Sequence, residues 1–310
     1  MANYITIDGG TTNTRINLIK DCKMVDSVKL NVGARTGIDD NAGLKKAIKD
    51  GINKILENNR IEKSDIKKIL ASGMITSESG VCKLDHIVTP AGISELNKSM
   101  YEVVINEISD IPIVFIRGVK TECKTLETAD MMRGEETELM GIMSDDDGEC
   151  AYILPGSHSK IIYTDSKGRI ESFSTMLTGE MIASISQNTI LKDAVDLSVS
   201  DMDEEYLMKG YTYCKNKGIN EALFKTRVLK NLFGCNKEQT YSYFLGVILY
   251  NEIAQVIASG AGKIIIGGKS QIKSAMAYIL KKVSDKKVIC LDDEKVDMST
   301  SLGMIKVYEY

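Results

Sequence analysis

The sequence predicts an α/β protein made of two domains, each built on a sheet whose strands are mostly parallel. Segments of β-branched and apolar residues alternate with segments of helical periodicity, which is the pattern of strands joined by helical crossovers. A strand, a glycine-bearing turn and a second strand open the chain at 3–19, and the same pattern returns at 150–164. This repetition indicates a duplicated topology. A chain of 310 residues is long enough to give each half its own core.

The composition excludes several classes of protein. Hydrophobic residues make up 43% of the chain and charged residues 26%, which are ordinary globular values, and the net charge of −4 gives no basis for a nucleic-acid partner. No apolar run reaches the length of a membrane span, and the first residues are typical of a strand rather than a signal peptide, so we expect a cytoplasmic protein without a membrane partner. The seven cysteines are dispersed, as reduced thiols are, and two histidines are too few for a His-rich zinc site.

Strands and helices alternate along both halves of the chain. We predict strands at 3–8, 15–19, 26–32, 68–72, 111–116, 150–164 (a pair), 170–176, 263–268 and 287–291. We predict helices at 42–58, 94–108, 122–143, 179–191, 204–217, 221–232, 238–258, 270–283 and 298–308. The acidic run SDDDGE at 144–149 solvates readily and breaks a helix, so it is the predicted hinge between domains at 1–145 and 146–310.

The first glycine turn carries side chains suited to phosphate. Gly9 and Gly10 allow a tight turn, and the donors after them are Thr11, Thr12 and Asn13. Asp8, at the strand end, is placed to hold Mg²⁺ through water. The segment therefore predicts nucleotide-phosphate binding, and an ordinary hairpin with a Gly-Gly turn is the alternative.

Two further glycine-bearing turns also follow apolar strands. In Pro155–Lys160, the candidate phosphate ligands are Gly156, Ser157, His158, Ser159 and Lys160. The alternative for this segment is a polar hairpin turn with a solvated lysine and a structural histidine. At Gly267–Gly268 the missing Cβ atoms would let an adenine approach the backbone.

An acidic cluster, MMRGEETELMG at 131–141, could supply a catalytic carboxylate. Transfer of a phosphoryl group to a hydroxyl needs a carboxylate that orients the nucleophile and accepts its proton, a role open to Glu135 or Glu136. Arg133 could bind an acidic substrate or adjust the neighbouring carboxylates. The alternative is a solvated helix face on which Arg133 and Glu136 pair.

A loop that follows a strand could line a small polar ligand. This loop, ASGMITSESG at 71–80, contains Met74, Thr76 and Ser77, and TPAG at 89–92 and IRG at 116–118 are similar loops. Ligand sites in open α/β sheets form outside such strand ends, although an ordinary loop is an equal alternative for each of them.

Together these segments resemble the 2-dehydro-3-deoxygalactonokinase family, a sugar-acid branch of the actin/hexokinase-like superfamily. The resemblance is carried, in the family's order and over nearly the whole chain, by IDGGTTNTR (7–15), ASGMITSESG (71–80), MRGEETELMG (132–141), PGSHSK (155–160) and MLTGE (176–180). It implies two actin/hexokinase-like (ribonuclease H-like) domains flanking a nucleotide cleft. The implied reaction is ATP- and Mg²⁺-dependent phosphorylation of the 6-hydroxyl of 2-dehydro-3-deoxy-D-galactonate.

The resemblance also implies roles for individual residues. Asp8–Asn13 in the N-terminal domain and Pro155–Lys160 in the C-terminal domain would be the two phosphate loops, with Gly267–Gly268 as the adenosine loop. Glu135 and Glu136 stand about where related sugar kinases carry their catalytic acid, which is usually an aspartate. The implied substrate-binding residues, all in the N-terminal domain except the last two, are Arg15, Met74, Thr76, Ser77, Arg133, Thr178 and Glu180.

The chain departs from the family pattern in two places. Gly9 stands where a bulkier residue, commonly tryptophan, occurs in relatives, and Ser157 and Ser159 stand where threonine and cysteine are common. A kinase for another small sugar or a pantothenate-like substrate, and a non-catalytic sugar-sensing protein of the same fold, are the alternative functions. Homodimer formation is left open.

Overall fold

A computed structural model describes residues 2–34, 41–144, 147–268 and 271–310. Asp145 and Asp146 lie outside these residues, so the hinge at 144–149 stays a prediction. The chain divides into two units, of which the first comprises Met1–Asp147, Ser166–Ser172 and Glu294–Tyr310, and the second comprises Gly148–Asp165 and Phe173–Asp293.

The first unit contains a six-stranded sheet and a small three-stranded sheet. Its strands are β1 (Asn3–Gly9), β2 (Thr14–Lys20), β3 (Lys23–Leu30), β4 (Ile66–Gly73), β5 (Ile87–Val88), β6 (Tyr101–Ile105), β7 (Ser109–Phe115), β8 (Val119–Lys120) and β9 (Met131–Met132). The large sheet has the order β3-β2-β1-β4-β7-β6, and the small one has the order β5-β8-β9. The expectation of mostly parallel strands is wrong for the large sheet, in which only the β1–β4 and β4–β7 pairs are parallel. Short turns join β1, β2 and β3, as well as β6 and β7, and strands joined by a tight turn pair antiparallel.

The helices before residue 144 are α1 (Ala42–Asn59), α2 (Ile93–Lys98) and α3 (Glu135–Ile142). Helix α1 buries the apolar positions that the sequence places at helical spacing, among them Leu44, Ile48 and Ile52, in one core with Ile5 and Ile16 of the sheet. This core fixes the ends of β1 and β4, where the candidate site residues lie.

Two predicted helices are shorter in the structure than the sequence indicated. The predicted helix 94–108 ends at Lys98, and its second part is the strand β6, which pairs with β7. The predicted helix 122–143 begins only at Glu135, because Gly134 has a φ of 109°, outside the helical region. Before Gly134, Met131 and Met132 form the edge strand β9, which pairs with β8.

The second unit repeats the strand order of the first. The strands of its sheet are β10 (Cys150–Leu154), β11 (Ser159–Thr164), β12 (Ile170–Met176), β13 (Lys263–Ile266) and β14 (Lys287–Cys290), and residues 170–172 of β12 group with the first unit. Their order is β12-β11-β10-β13-β14, so that β10, like β1, lies between an antiparallel hairpin partner and a parallel strand. The helices of this unit are α4 (Thr178–Asn188), α5 (Glu204–Lys217), α6 (Ile219–Phe233), α7 (Lys237–Ala258) and α8 (Gln271–Val283). Among the described residues, no helix is both long and apolar enough to cross a membrane.

The last helix, α9 (Asp293–Glu309), groups with the first unit rather than with the half of the chain that precedes it. The Ser301 hydroxyl lies 2.7 Å from that of Thr6 and accepts from Asn17 Nδ2 at 2.9 Å. A Cβ atom on Gly303 would lie 1.7 Å from the carbonyl oxygen of Thr137, so the backbones of α9 and α3 are in direct contact. This packing is possible because α9 presents small residues to α3.

Candidate functional site

The first glycine turn closes on itself beside a half-buried carboxyl group. Asp8 pairs with Arg15 across the hairpin, and the N–H of Gly10 donates to the carbonyl oxygen of Asn13 at 2.8 Å. Burial raises the pKa of Asp8, and the positive charge of Arg15 partly opposes this effect. Thr12 is exposed at the tip of the turn, and its neighbours Thr11 and Asn13 are half-buried. The structure therefore brings together the predicted phosphate donors and the predicted metal-holding carboxylate.

Gly9 is fixed by its neighbour Ile75. A Cβ atom on Gly9 would lie 2.7 Å from the Cβ of Ile75 and 2.9 Å from its backbone nitrogen, so no larger residue fits at this position. The glycine at position 9, where this chain departs from the family pattern, is therefore explained by close packing against the turn that follows β4.

That turn runs from Gly73 through the single helical turn Met74–Thr76 to Ser77. The hydroxyl of Thr76 donates to the carbonyl oxygen of Gly73 at 3.0 Å, and the hydroxyl of Ser77 donates to that of Met74 at 2.7 Å. Both side chains are buried, whereas Met74 is half-buried. The two hydroxyls thus stabilise the conformation of the loop. Met74 is the most accessible of the three predicted substrate residues.

The two adjacent candidate acids have different environments. Glu136 is fully buried: both of its carboxylate oxygens accept from the N–H of Gly134 at 2.9 Å, and Oε1 also accepts from Ser72 Oγ at 3.2 Å. Burial, with a smaller contribution from the negative charge of Glu135, raises the pKa of Glu136 to about 8. Glu135 is half-buried, and its Oε2 accepts from the N–H of Arg133 at 3.1 Å. The pair therefore does not form a solvated helix face.

Arg133 is engaged by the loops around it. Its Nη1 donates to the carbonyl and hydroxyl oxygens of Thr76 at 2.9 and 2.8 Å, and its Nη2 donates to the carbonyl oxygen of Leu84 at 2.8 Å. His86 Nδ1 lies 3.5 Å from Nη2. Burial and the positive charge of Arg133 lower the pKa of His86 to about 4, so this imidazole is neutral near pH 7. Arg133 thus ties the loop after β4 to the start of α3.

A third acid, Glu138, joins Asp8 and Glu135, and sequence reasoning missed it. Burial, followed by the negative charges of Glu135 and Asp8, raises the pKa of Glu138 to about 8. The signal was present in the sequence, because a residue three positions after Glu135 lies on the same face of a helix. The result is a cluster of carboxyl groups where β1 ends and α3 begins.

In the first unit, Asp8 is the candidate carboxylate for a metal ion. Within the described ranges, no group of at least three His, Cys, Asp or Glu side chains could hold a metal ion. Asp8 by itself fits the expected role, since Mg²⁺ keeps several waters and binds few protein ligands when it accompanies a nucleotide.

In the second unit, the candidate phosphate loop is exposed at its tip. Gly156, Ser157 and His158 are exposed, whereas Ser159 and Lys160 are buried. His158 Nε2 lies 3.0 Å from Oε1 of Glu180, and both side chains are about half exposed, at 46% and 50%.

The tip of this loop is tied to the start of α4. The carbonyl oxygens of Gly156 and Ser157 each accept at 3.2 Å from the first N–H groups of the helix, those of Gly179 and Glu180. The predicted ligand Lys160 instead donates through Nζ to the hydroxyl of Thr175 at 2.5 Å. Gly156–His158 are therefore the residues of this loop that are placed to meet a ligand.

The predicted adenosine loop lies beside this candidate phosphate loop. The N–H of Gly267 donates to the carbonyl oxygen of Ile153 at 2.8 Å, and a Cβ on Gly268 would lie 2.9 Å from Cδ of Pro155. Both glycines are buried and follow β13, which pairs with β10. The second unit thus brings two of the three predicted glycine turns together at one edge of its sheet.

Comparison with solved structures identifies the fold. A Sinorhizobium meliloti protein whose crystal structure is assigned as a 2-dehydro-3-deoxygalactonokinase has a TM-score of 0.78 at 23% identity, with 98% of this chain and 97% of that chain covered. Xylulose kinase from Lactobacillus acidophilus has a TM-score of 0.53 at 11% identity, with 100% and 89% covered. Component A of (R)-2-hydroxyglutaryl-CoA dehydratase from Acidaminococcus fermentans has a TM-score of 0.51 at 11% identity, with 100% and 99% covered. These likenesses confirm the predicted actin/hexokinase-like α/β fold.

Comparison with known sequences identifies the family. The Rhizobium meliloti (strain 1021) protein named probable 2-dehydro-3-deoxygalactonokinase DgoK1 is 28% identical over 195 residues. That alignment covers 62% of this chain and 59% of the relative, so the chain spans about three fifths of the length of the curated relative that it matches. The model of the 2-keto-3-deoxy-galactonokinase family matches residues 8–301, which include both predicted phosphate loops and the acidic cluster. Because this match extends over nearly the whole sequence, the chain belongs to the 2-keto-3-deoxy-galactonokinase family.

Proposed function

We propose that this chain transfers the γ-phosphoryl group of ATP to the 6-hydroxyl of 2-dehydro-3-deoxy-D-galactonate. The family match supports a sugar-acid substrate and a phosphotransferase reaction. The geometric observation that carries the proposal is the half-buried carboxyl group of Glu135, next to Asp8 and Glu138 at the ends of α3 and β1. A phosphotransferase needs a carboxylate that is both accessible and held in place, and Glu135 meets both conditions.

In this proposal Glu135 is the general base. It accepts the proton of the 6-hydroxyl while the hydroxyl oxygen bonds to the γ-phosphorus, and the bond from that phosphorus to the bridging oxygen of ADP breaks. The backbone N–H of Arg133 holds one oxygen of Glu135, which orients the other one. Glu136 is a poorer candidate, because it is fully buried and both of its oxygens already accept hydrogen bonds.

The proposal gives the phosphate-binding role to donors in each unit. In the first unit they are the N–H and hydroxyl groups of Thr11, Thr12 and Asn13, and in the second they belong to Gly156–His158. Asp8 would hold Mg²⁺ through water, and the cation would offset the negative charge of the phosphates.

Two arginines are candidates for the substrate carboxylate. Arg133 remains our first candidate, but its Nη1 and Nη2 atoms already donate to Thr76 and Leu84. Arg15, opposite Asp8 in the hairpin, is exposed. We expect Arg133→Lys to raise KM for the sugar acid more than KM for ATP, since lysine cannot reproduce the two-pronged guanidinium contact. Arg15→Lys is the matched variant: if it alone raises the KM for the sugar acid, Arg133 only holds the loop after β4.

A coupled assay of ADP release tests the proposed reaction. The panel consists of 2-dehydro-3-deoxy-D-galactonate, its C4 epimer derived from gluconate, a neutral hexose and pantothenate. We expect turnover with the sugar acids and the highest kcat/KM with the galactonate derivative. Turnover confined to the hexose or to pantothenate would refute the substrate class, and sugar-acid binding without turnover would indicate a sensor.

A further inference from the structure

In the second unit, the long helix α7 carries a carboxyl group into the base of the phosphate loop. This group belongs to Glu252, whose side chain is only 2% exposed. It lies against Ser159, the first residue of β11, and Thr178, the first residue of α4. Ser159 directly follows the exposed tip of the loop, Gly156–His158, and Thr178 begins the helix to which that tip is bonded.

Each oxygen of the Glu252 carboxylate accepts one hydroxyl. Ser159 Oγ donates to Oε1, and Thr178 Oγ1 donates to Oε2 at 2.7 Å. All three side chains are buried, so water does not compete for these hydrogen bonds. The carboxylate therefore joins two points that are 19 positions apart in the numbering of the chain.

The loop tip depends on the position of Thr178. The carbonyl oxygens of Gly156 and Ser157 accept from the two N–H groups that directly follow Thr178 in the helix. Any shift of the start of α4 would therefore move these carbonyls and the rest of the loop tip. Ser159 fixes the other end of the same loop, because it directly follows His158.

Burying the carboxyl group of Glu252 has an energetic cost, which points to a role in the fold or the site. A carboxyl group away from water loses solvation free energy that two hydrogen bonds only partly offset. Burial accordingly raises the pKa of Glu252, and the hydroxyls of Ser159 and Thr178 oppose this effect. An apolar residue would fill the same space without this cost, but it could not hold the two hydroxyls.

We propose that Glu252 is a positioning residue that sets the conformation of the phosphate loop by holding Ser159 and Thr178 together. This inference rests on the proposed function, because it takes the phosphates of ATP as the ligand of Gly156–His158. Serine suits position 159 in this role, because its hydroxyl is a good hydrogen-bond donor to a carboxylate.

The test compares a ligand that has phosphates with one that has none. Glu252→Gln keeps the shape of the side chain but leaves one acceptor oxygen, so one of the two hydroxyls loses its acceptor. We expect the Kd of ADP, measured by calorimetry on the full chain, to rise by about tenfold. The Kd of adenosine should stay within about twofold of the wild type, since adenosine makes no phosphate contacts with the loop. Glu238→Gln, in the first turn of the same helix, is the matched control and should leave both Kd values unchanged.

A second variant keeps the test informative if Glu252→Gln fails to fold. Ser159→Ala removes one of the two hydrogen bonds, and we expect it to raise the Kd of ADP in the same direction without changing that of adenosine. In the double variant, the effects should be less than additive, since both changes disrupt the same network of Ser159, Thr178 and Glu252. The inference is overturned if the affinities for ADP and adenosine fall together, or if both variants bind ADP as the wild type does. If the wild-type chain itself binds no ADP, the proposed function fails first, and this inference fails with it.

Discussion

At the scale of single residues, the neighbours Glu135 and Glu136 show how local structure separates two chemically identical groups. A glycine with positive φ at position 134 starts the helix, and its N–H is taken by the carboxylate of Glu136. Glu136 is thereby turned into the protein, while Glu135 stays half-buried. The sequence left the choice of base open between them, and the difference in burial favours Glu135.

We expect Glu135→Gln to lower kcat by about 10²- to 10⁴-fold, because glutamine keeps the shape of the side chain but cannot accept the proton. Binding of ATP and the thermal unfolding temperature should change little. Steady-state kinetics, calorimetric titration with ATP and thermal unfolding check the three parts. Glu136→Gln is the matched variant, and a loss of kcat in that variant but not in Glu135→Gln would show that the base lies one residue further on.

Glu136 also makes the stability of the protein depend on pH. Its pKa in the folded protein, about 8, lies above the ordinary value of 4.5, so between these pH values the folded state binds more protons than the unfolded state. The contribution of Glu136 to the free energy of unfolding therefore decreases as the pH rises from about 4.5 to 8, by at most about 1.4 kcal/mol per pH unit. Urea unfolding at several pH values should show this decrease in the wild type and a smaller one in Glu136→Gln. If the free energy of unfolding fell equally with pH in the two proteins, the raised pKa of Glu136 would be contradicted.

Two contacts that the sequence did not reveal join residues that are distant in the chain. Glu252 lies 93 positions from Ser159, and the guanidinium of Arg133 meets Thr76, 57 positions away. Motifs identified the loop residues because their chemistry is concentrated in a few consecutive positions. They could not identify a buried group on a remote helix whose role depends on tertiary packing.

At the scale of elements, the C-terminal helix supports the helix that carries the candidate base. Helix α9 contacts α3 through two glycines, since a Cβ on Gly303 would lie 1.7 Å from the carbonyl oxygen of Thr137 and one on Gly141 would lie 1.9 Å from that of Ser299. The sequence predicted a helix at 298–308, and the structure confirms it as α9. That α9 belongs with the first unit could not be predicted, because this depends on contacts made over the full length of the chain.

Gly303→Ala should destabilise the protein by about 1–3 kcal/mol, because the added methyl group meets backbone rather than a flexible side chain. It should also lower kcat, since α3 carries Glu135. Denaturant unfolding and steady-state kinetics measure the two effects. Gly43→Ala, in α1, is the control: a Cβ at that position meets nothing within 4 Å, so we expect unchanged or slightly increased stability. Equal stabilities for the two variants would show that α9 and α3 are not in close contact.

At the scale of the whole molecule, the order of strands around β1 returns around β10, and a glycine turn follows each of these strands. The sequence predicted this duplication, because the turn chemistry and the apolar strands repeat in the same order. It did not predict that the sheets are mixed, since the direction of a strand depends on which neighbours it pairs with. The family predicted from the motifs is confirmed by a match that extends through both units.

The central claim is that this chain phosphorylates the 6-hydroxyl of a keto-deoxy sugar acid, and identification of the product tests it most directly. The chain would be incubated with ATP, Mg²⁺ and 2-dehydro-3-deoxy-D-galactonate, and the products would be examined by phosphorus and proton NMR. We predict ADP and a phosphate ester whose phosphorus couples to the protons on C6. Formation of free phosphate without an ester, or an ester at another oxygen, would contradict the account.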